Sequence, residues 1–189
     1  MARRLRVIAG SAGGLHLVAP NGARPTTDRA KEALFASLGA AVVDANVLDL
    51  FAGSGALGIE ALSRGAERST FVERDRDAIA AIRRNLATAG FVDRADVREQ
   101  TVGTFLSGPR SGGRDAGGPF DLVFLDAPYD LGAPVLAGHL ADIEAGGWLE
   151  SDATVVVERR KGDLLALPSR WLVAGERTYG DTLLLVATV

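Results

Sequence analysis

The chain contains no cysteine, which excludes disulfide staples, a thiolate nucleophile and cysteine-ligated zinc or iron–sulfur clusters. It has two histidines, His16 and His139, isolated from each other in sequence; two are too few for most zinc sites, so no metal is expected, and both read as surface or partly buried residues rather than catalytic ones. Aromatic residues make up 6% of the chain, and Trp148 and Trp171 lie in apolar surroundings that mark them as packing residues. No apolar run approaches the ~20 residues needed to cross a bilayer. The start, MARRLRVIAGSAGG, lacks the apolar centre of a signal peptide, so the expectation is a cytoplasmic protein with no membrane contact.

What is present is enough to build a core. With 189 residues, 47% hydrophobic and 24% charged, the composition is that of a globular chain of one ordinary domain. Net charge is −3, but it is unevenly spread. Residues 1–31 hold Arg3, Arg4, Arg6, Arg24, Arg29 and Lys31 against the single acid Asp28, a balance of +5, leaving −8 for the remainder. Among 21 basic residues only Lys31 and Lys161 are lysines, and arginine offers a planar fork suited to phosphate. A solvated face explains such a run equally well.

LRVIAG (5–10) and LHLVA (15–19), separated by Ser11-Ala12-Gly13-Gly14, predict a β-hairpin. RPTTDRAKEALFASLG follows with Pro25 and threonine candidates for an N-cap, apolar Ala30, Leu34 and Leu38 at helical spacing, and Gly39 at the end, which predicts a helix. From residue 46 the pattern alternates. NVLDLF, STFVE, ADVRE, FDLVFLD and ATVVVE are β-rich runs, and helices are expected between them at about 56–64, 75–89 and 132–145. This alternation implies an α/β fold with a doubly wound, mostly parallel sheet. The final RWLVAGERTYGDTLLLVATV has two strand-like runs joined at Tyr179-Gly180-Asp181 with no room for a crossover helix, so the last strand is expected to be antiparallel. SGPRSGGRDAGG (107–118) is read as a loop.

The first parallel strand runs into Asp49-Leu50-Phe51-Ala52-Gly53-Ser54-Gly55-Ala56-Leu57-Gly58. Glycines there let the backbone approach a ligand closely, and the N–H groups of a helix starting near Gly55 point at it. Glu73 ends the next strand 20 residues after Gly53, where a carboxylate can accept from both ribose hydroxyls. Read literally the loop matches GxGxxG, so a nicotinamide dinucleotide and an oxidoreductase stand as one reading. Asp49 favours another, because a carboxylate suits the ammonium of S-adenosylmethionine better than a pyrophosphate. The D-x-F-x-G-x-G form resembles motif I of class I methyltransferases.

The fourth strand opens into Asp126-Ala127-Pro128-Tyr129 at its carboxyl end, where open α/β sheets bind ligands. An exocyclic amine conjugated to a base ring is a poor nucleophile. A carboxylate together with a backbone carbonyl can accept its N–H bonds and localise the lone pair, Pro128 fixes the turn, and Tyr129 can stack on the base. A base inside a duplex must be unpaired or flipped to reach such a pocket. Glu158, beside Arg159, Arg160 and Lys161 at the end of the fifth strand, has two readings, a structural ion pair or part of the RNA face, and the structural one is preferred.

DAPY resembles the [DN]PP[YF] motif of amino-group methyltransferases, with Ala127 in place of the first proline. RVIAG, ARPTTDRAKEALFASL, LDLFAGSGALGIEALSRGA, FVERD and FLDAPY, in that order and over nearly the whole chain, resemble the RsmD family, which methylates guanine N2 in 16S ribosomal RNA. RPTTDR is its most specific piece, and the hairpin, usually richer in basic residues there, is here SAGGLHLV. The resemblance implies a Rossmann-like seven-stranded sheet that uses S-adenosylmethionine without a metal. It divides the chain into residues 1–40, an RNA-docking hairpin and helix, and residues 41–189, the methyltransferase domain. Carried onto this chain, it gives Asp49, Phe51, Gly53, Gly55, Glu73, Arg74, Thr101, Val102 and Asp126 to the cofactor. Asp126, Pro128 and Tyr129 fall to catalysis, and Arg3, Arg4, Arg6, Arg24, Thr26 and Arg29 to RNA. The implied partner is 16S ribosomal RNA within small-subunit particles, met by a monomer. Adenine N6 of DNA or a protein glutamine amide remain alternative acceptors.

Overall fold

The centre of the fold is built from runs that are apolar on both faces, as strands buried between two helical layers must be. In β1 (Asn46–Leu50) all five residues are buried, Val47 facing one core and Leu48 and Leu50 the other. A computed structural model describes residues 5–20, 27–109, 118–163 and 165–189.

After β1 come α2 (Ala56–Ser63), β2 (Arg68–Glu73), α3 (Arg76–Ala89), β3 (Ala95–Glu99), α4 (Val102–Ser107), β4 (Phe120–Asp126), α5 (Ala133–Ala145) and β5 (Leu149–Arg160). β6 (Leu172–Tyr179) and β7 (Thr182–Thr188) complete the sheet, and α1 (Asp28–Leu38) precedes it. The sheet has seven strands in the order β3-β2-β1-β4-β5-β7-β6. Pairings from β3 to β5 are parallel, and β7 inserts antiparallel between β5 and β6. This is the doubly wound, mostly parallel sheet that the alternation predicts, with its last strand reversed. Strand order changes direction at β1, so the ends of β1, β2 and β4 form the crevice where such sheets take ligands.

Helix boundaries follow local chemistry. Thr27 caps α1 through Oγ1 on Ala30 N, and Asp75 caps α3 on Ala78 N. Two expectations need correction. Residues 102–107 form α4, so the segment read as a loop from 107 begins as a helix end; residues 110–117 lie outside the described part. β5 starts four residues earlier than ATVVVE and runs two beyond it, pairing Leu149 with Phe120 across a bulge.

The N-terminal segment is fastened to the sheet domain. Val7 N bonds Leu15 O and Leu17 N bonds Leu5 O, with an antiparallel bridge at Arg6 and His16, which is the expected hairpin in short form. Leu5, Val7, Leu17, Leu34 and Phe35 are buried in one cluster with Val47, Ile59, Leu122 and Phe124. Each such side chain contributes about 1.5–3 kcal/mol by leaving water. Glu60 of α2 is fully buried and accepts from Ile8 N (2.7 Å) and Ala9 N (3.1 Å), while pairing with Lys31 and Arg64. Burial holds the Lys31 ammonium below its ordinary pKa, with Glu60 opposing. Lys31 therefore faces a buried carboxylate, not RNA, and drops out of the surface charge of the N-terminal region. A Cβ on Gly10 would lie 1.9 Å from Ser63 O, so the hairpin turn meets α2 backbone to backbone.

Candidate active site

The turn after β1 is drawn tight by side chains beneath it. Phe51 has φ of 59° although it is not glycine, a strained conformation kept where the surroundings demand it. Asp49 is 1% exposed, and its carboxylate accepts from Gly58 N at 2.9 Å inside the first turn of α2. Burial, with the charge of Glu73 adding to it, raises the Asp49 pKa to about 7 against the bond from Gly58. A Cβ at Gly58 would lie 2.4 Å from the Phe71 ring, so only glycine lets α2 approach β2 this closely. Glu73 ties the loop to the next element: Gly53 N donates to one oxygen at 2.9 Å, and Arg74 N and Asp75 N donate to the other.

Asn85 of α3, buried to 1% exposure, splices three segments. Its carboxamide accepts from Val18 N (2.8 Å) and donates to Val18 O and Ser54 O (both 2.9 Å). The hairpin's second strand and the glycine loop thus hang on one side chain.

At the ends of β1, β2, β4 and β5 lies one cleft of about 1070 Å³. Phe51, Gly53, Glu73, Arg74, Thr101 and Val102 line one part, Asp126, Pro128 and Tyr129 another. Nine of the residues singled out from sequence therefore share one wall-to-wall space. Asp49 and Gly55 are not on that wall: Asp49 lies buried under the loop and Gly55 forms the N-cap of α2. Arg6 and Arg29 are exposed away from the cleft, Arg6 paired with Asp28 at 2.9 Å. Arg3, Arg4, Arg24 and Thr26 lie outside the described residues.

Among the cleft residues that sequence reading did not assign to the site are His139, Glu158 and Arg160. His139 of α5 faces Phe51, ring centroids 6.0 Å apart, and burial lowers its pKa against the pull of Asp142. Glu158 is 7% exposed and lines the cleft. It is the register partner of Asp126, so the two carboxylates stand on neighbouring strands. Arg160, two residues on, places its guanidinium 5.4 Å from the centroid of the Tyr129 ring, while the Tyr129 hydroxyl meets Thr182 Oγ1 at 3.0 Å. Thr182 is the cross-strand partner of Arg160. The period-two alternation of β5 marks Glu158 and Arg160 as one face of that strand, a signal present in the sequence. What it lacks is which face meets the DAPY turn. Trp148 and Trp171 are buried, as expected of packing residues.

Comparison with known proteins agrees with this architecture. A solved structure of the Escherichia coli protein yhhF superposes with a TM-score of 0.86, at 34% identity over 98% of both chains. The ribosomal protein L11 methylase of Lactobacillus delbrueckii subsp. bulgaricus, 18% identical over 75% of this chain and 67% of its own, superposes with a TM-score of 0.58 and so shares the fold. In sequence, the chain is 38% identical to ribosomal RNA small subunit methyltransferase D of Escherichia coli (strain K12) over 181 residues, 94% of this chain and 86% of that one. The family described as "Conserved hypothetical protein 95" matches residues 5–188. The chain belongs to that family, the RsmD family.

Proposed function

We propose that this protein is an S-adenosylmethionine-dependent methyltransferase acting on the N2 amine of a guanine in 16S ribosomal RNA of the small subunit. One observation carries the reading: the glycine loop with Glu73 and the DAPY turn open into the same cleft. Its volume is at the upper end of single-ligand sites, room for a nucleoside-sized donor and an extruded base side by side. The activity named for the 38% identical relative supports the choice of substrate.

The donor set suits such a cofactor. Glu73, at the carboxyl end of β2, would hold the ribose, Phe51, Gly53 and Arg74 the adjoining surface, and Thr101 and Val102 the adenine edge, while Asp49 and Gly55 shape the loop from beneath and behind. S-adenosylmethionine supplies a methyl group on a sulfonium, and its transfer requires no metal. Asp126 accepts an N–H of the acceptor amine and offsets the positive charge that develops on nitrogen. Pro128 holds the turn, and Tyr129 presents its ring to an unpaired or flipped base. Alignment of the two reacting atoms is the main contribution of the chain. Residues 1–40 form the RNA-docking part through Arg3, Arg4, Arg6, Arg24, Thr26 and Arg29, and residues 41–189 the catalytic part, in a monomer that acts in the cytoplasm on small-subunit particles.

The test is incubation with labelled S-adenosylmethionine and either deproteinised 16S RNA or small subunits lacking the modification, followed by nucleoside analysis. N2-methylguanosine is expected. Label in N6-methyladenosine, in a protein glutamine or nowhere would overturn the reading, and binding of NAD in place of S-adenosylhomocysteine would return the protein to the oxidoreductases.

A further inference from the structure

Two carboxylates flank the acceptor part of the cleft. Asp126 and Glu158 are register partners on parallel strands, which sets their backbones about 4.8 Å apart and sends their side chains to the same side of the sheet. Both line the cleft, and Glu158 does so from a position only 7% exposed. On the same face of β5, Arg160 and Thr182 hold the Tyr129 ring and hydroxyl. Along β5, Glu158 is level with the group assigned to the amine, and Arg160, two residues on, meets the ring assigned to stacking.

The chemistry that fits two adjacent carboxylates is two adjacent donors on one planar edge. Guanine has them: N1–H and the N2 amine are neighbours through C2. Adenine presents N1 as a lone pair beside its amine, and a buried carboxylate facing that lone pair is repelled with no water to screen it. We propose that Glu158 is a specificity-determining residue that accepts the N1–H of the target guanine while Asp126 accepts from N2. The proposal rests on the guanine-N2 reading above and explains why this cleft would take guanine and refuse adenine. A site built to bond a particular hydrogen discriminates strongly against the analogue that lacks it, because its own polar group is left unpaired.

The test uses 2-aminopurine, which keeps the N2 amine but has a bare N1. RNA carrying the target guanosine, located by the nucleoside analysis above, is compared with the same RNA carrying 2-aminopurine there, for the full-length protein and for Glu158→Gln. The wild type is expected to favour guanine in kcat/KM by roughly 10- to 100-fold, the range of a hydrogen bond to a charged group. In Glu158→Gln the amide NH2 can donate to the bare N1, so the preference is expected to shrink by about tenfold or more. Calorimetric binding of S-adenosylhomocysteine checks that the variant retains its fold.

Equal turnover of the two bases by the wild type would overturn the proposal without any variant. An unchanged preference in Glu158→Gln would overturn it too, assigning discrimination to another contact such as O6. Failure of the wild type to methylate guanine N2 at all would instead overturn the functional reading, and the two failures are told apart by the wild-type guanine arm.

Discussion

At the residue scale the acids of the site have separate duties. Asp126 faces the cleft while Asp49 lies sealed under the loop. Asp126→Ala is expected to leave affinity for S-adenosylhomocysteine within about twofold while kcat falls on the order of 100-fold, the cost of removing one preorganised group at a developing charge. Unchanged turnover in steady-state assays would remove Asp126 from the chemistry. Asp49 titrates differently. Its native pKa of about 7 lies above the ordinary 3.8, so between those values the folded protein holds a proton that the unfolded chain has released. Stability from this group is present at low pH and is lost as pH rises from about 4 to about 7. Asp49→Asn keeps an oxygen for Gly58 N and cannot ionise. Its Tm relative to wild type, without cofactor, should therefore climb across that window and stay level above it. A difference flat from pH 4 to 8 in melting scans would show that Asp49 is not the group that titrates.

At the element scale, much of the fold was legible because its signals are local. Alternating β-rich and helical runs, a threonine cap before α1, and glycine at the β1 turn each act within a few residues. The parts that were not legible depend on partners distant in sequence. The six residues of α4 bury only Val102, Phe105 and Leu106, too short a stripe to show a helical period. Glu158 is a cleft residue only because β5 lies beside β4. Asn85 looks like any polar residue of an amphipathic helix, yet its carboxamide joins Val18 to Ser54 O. Asn85→Ala takes that partner from three part-buried backbone groups, and such a group costs up to about 1–3 kcal/mol where it stays dry and little where water reaches it. At this chain length each kcal/mol lowers Tm by about 2–4 °C. The same change frees the glycine loop, so affinity for S-adenosylhomocysteine should fall as well. A variant that melts earlier but binds the cofactor normally would show that the splice serves stability alone.

At the scale of the whole molecule, the charge asymmetry and the packing of the N-terminal region set limits on each other. Removing residues 1–20 looks from sequence like a clean way to separate docking from catalysis. The structure argues against it: Leu5, Val7 and Leu17 belong to the main core, and Glu60 would lose the Ile8 and Ala9 N–H groups. Losing three core side chains together with two hydrogen bonds to a carboxylate is strongly destabilising, so a truncated chain would report on folding. Of the six basic residues before position 32, Lys31 is buried against Glu60 and Arg6 is paired with Asp28. Arg29 is exposed on the first turn of α1, so it can be changed with the core intact. Arg29→Ala should leave Tm within about 1 °C, consistent with the small effect of most surface substitutions. If Arg29 meets an RNA phosphate, the slope of log binding constant against log salt should become shallower by about 0.7–0.9, while S-adenosylhomocysteine binding keeps its weak salt dependence. Filter binding of 16S RNA between 50 and 200 mM salt, roughly the range over which phosphate contacts lose most affinity, measures the slope. Identical slopes for Arg29→Ala and wild type would take Arg29 off the RNA interface and move the search to the arginines that ring the cleft, Arg74 and Arg160.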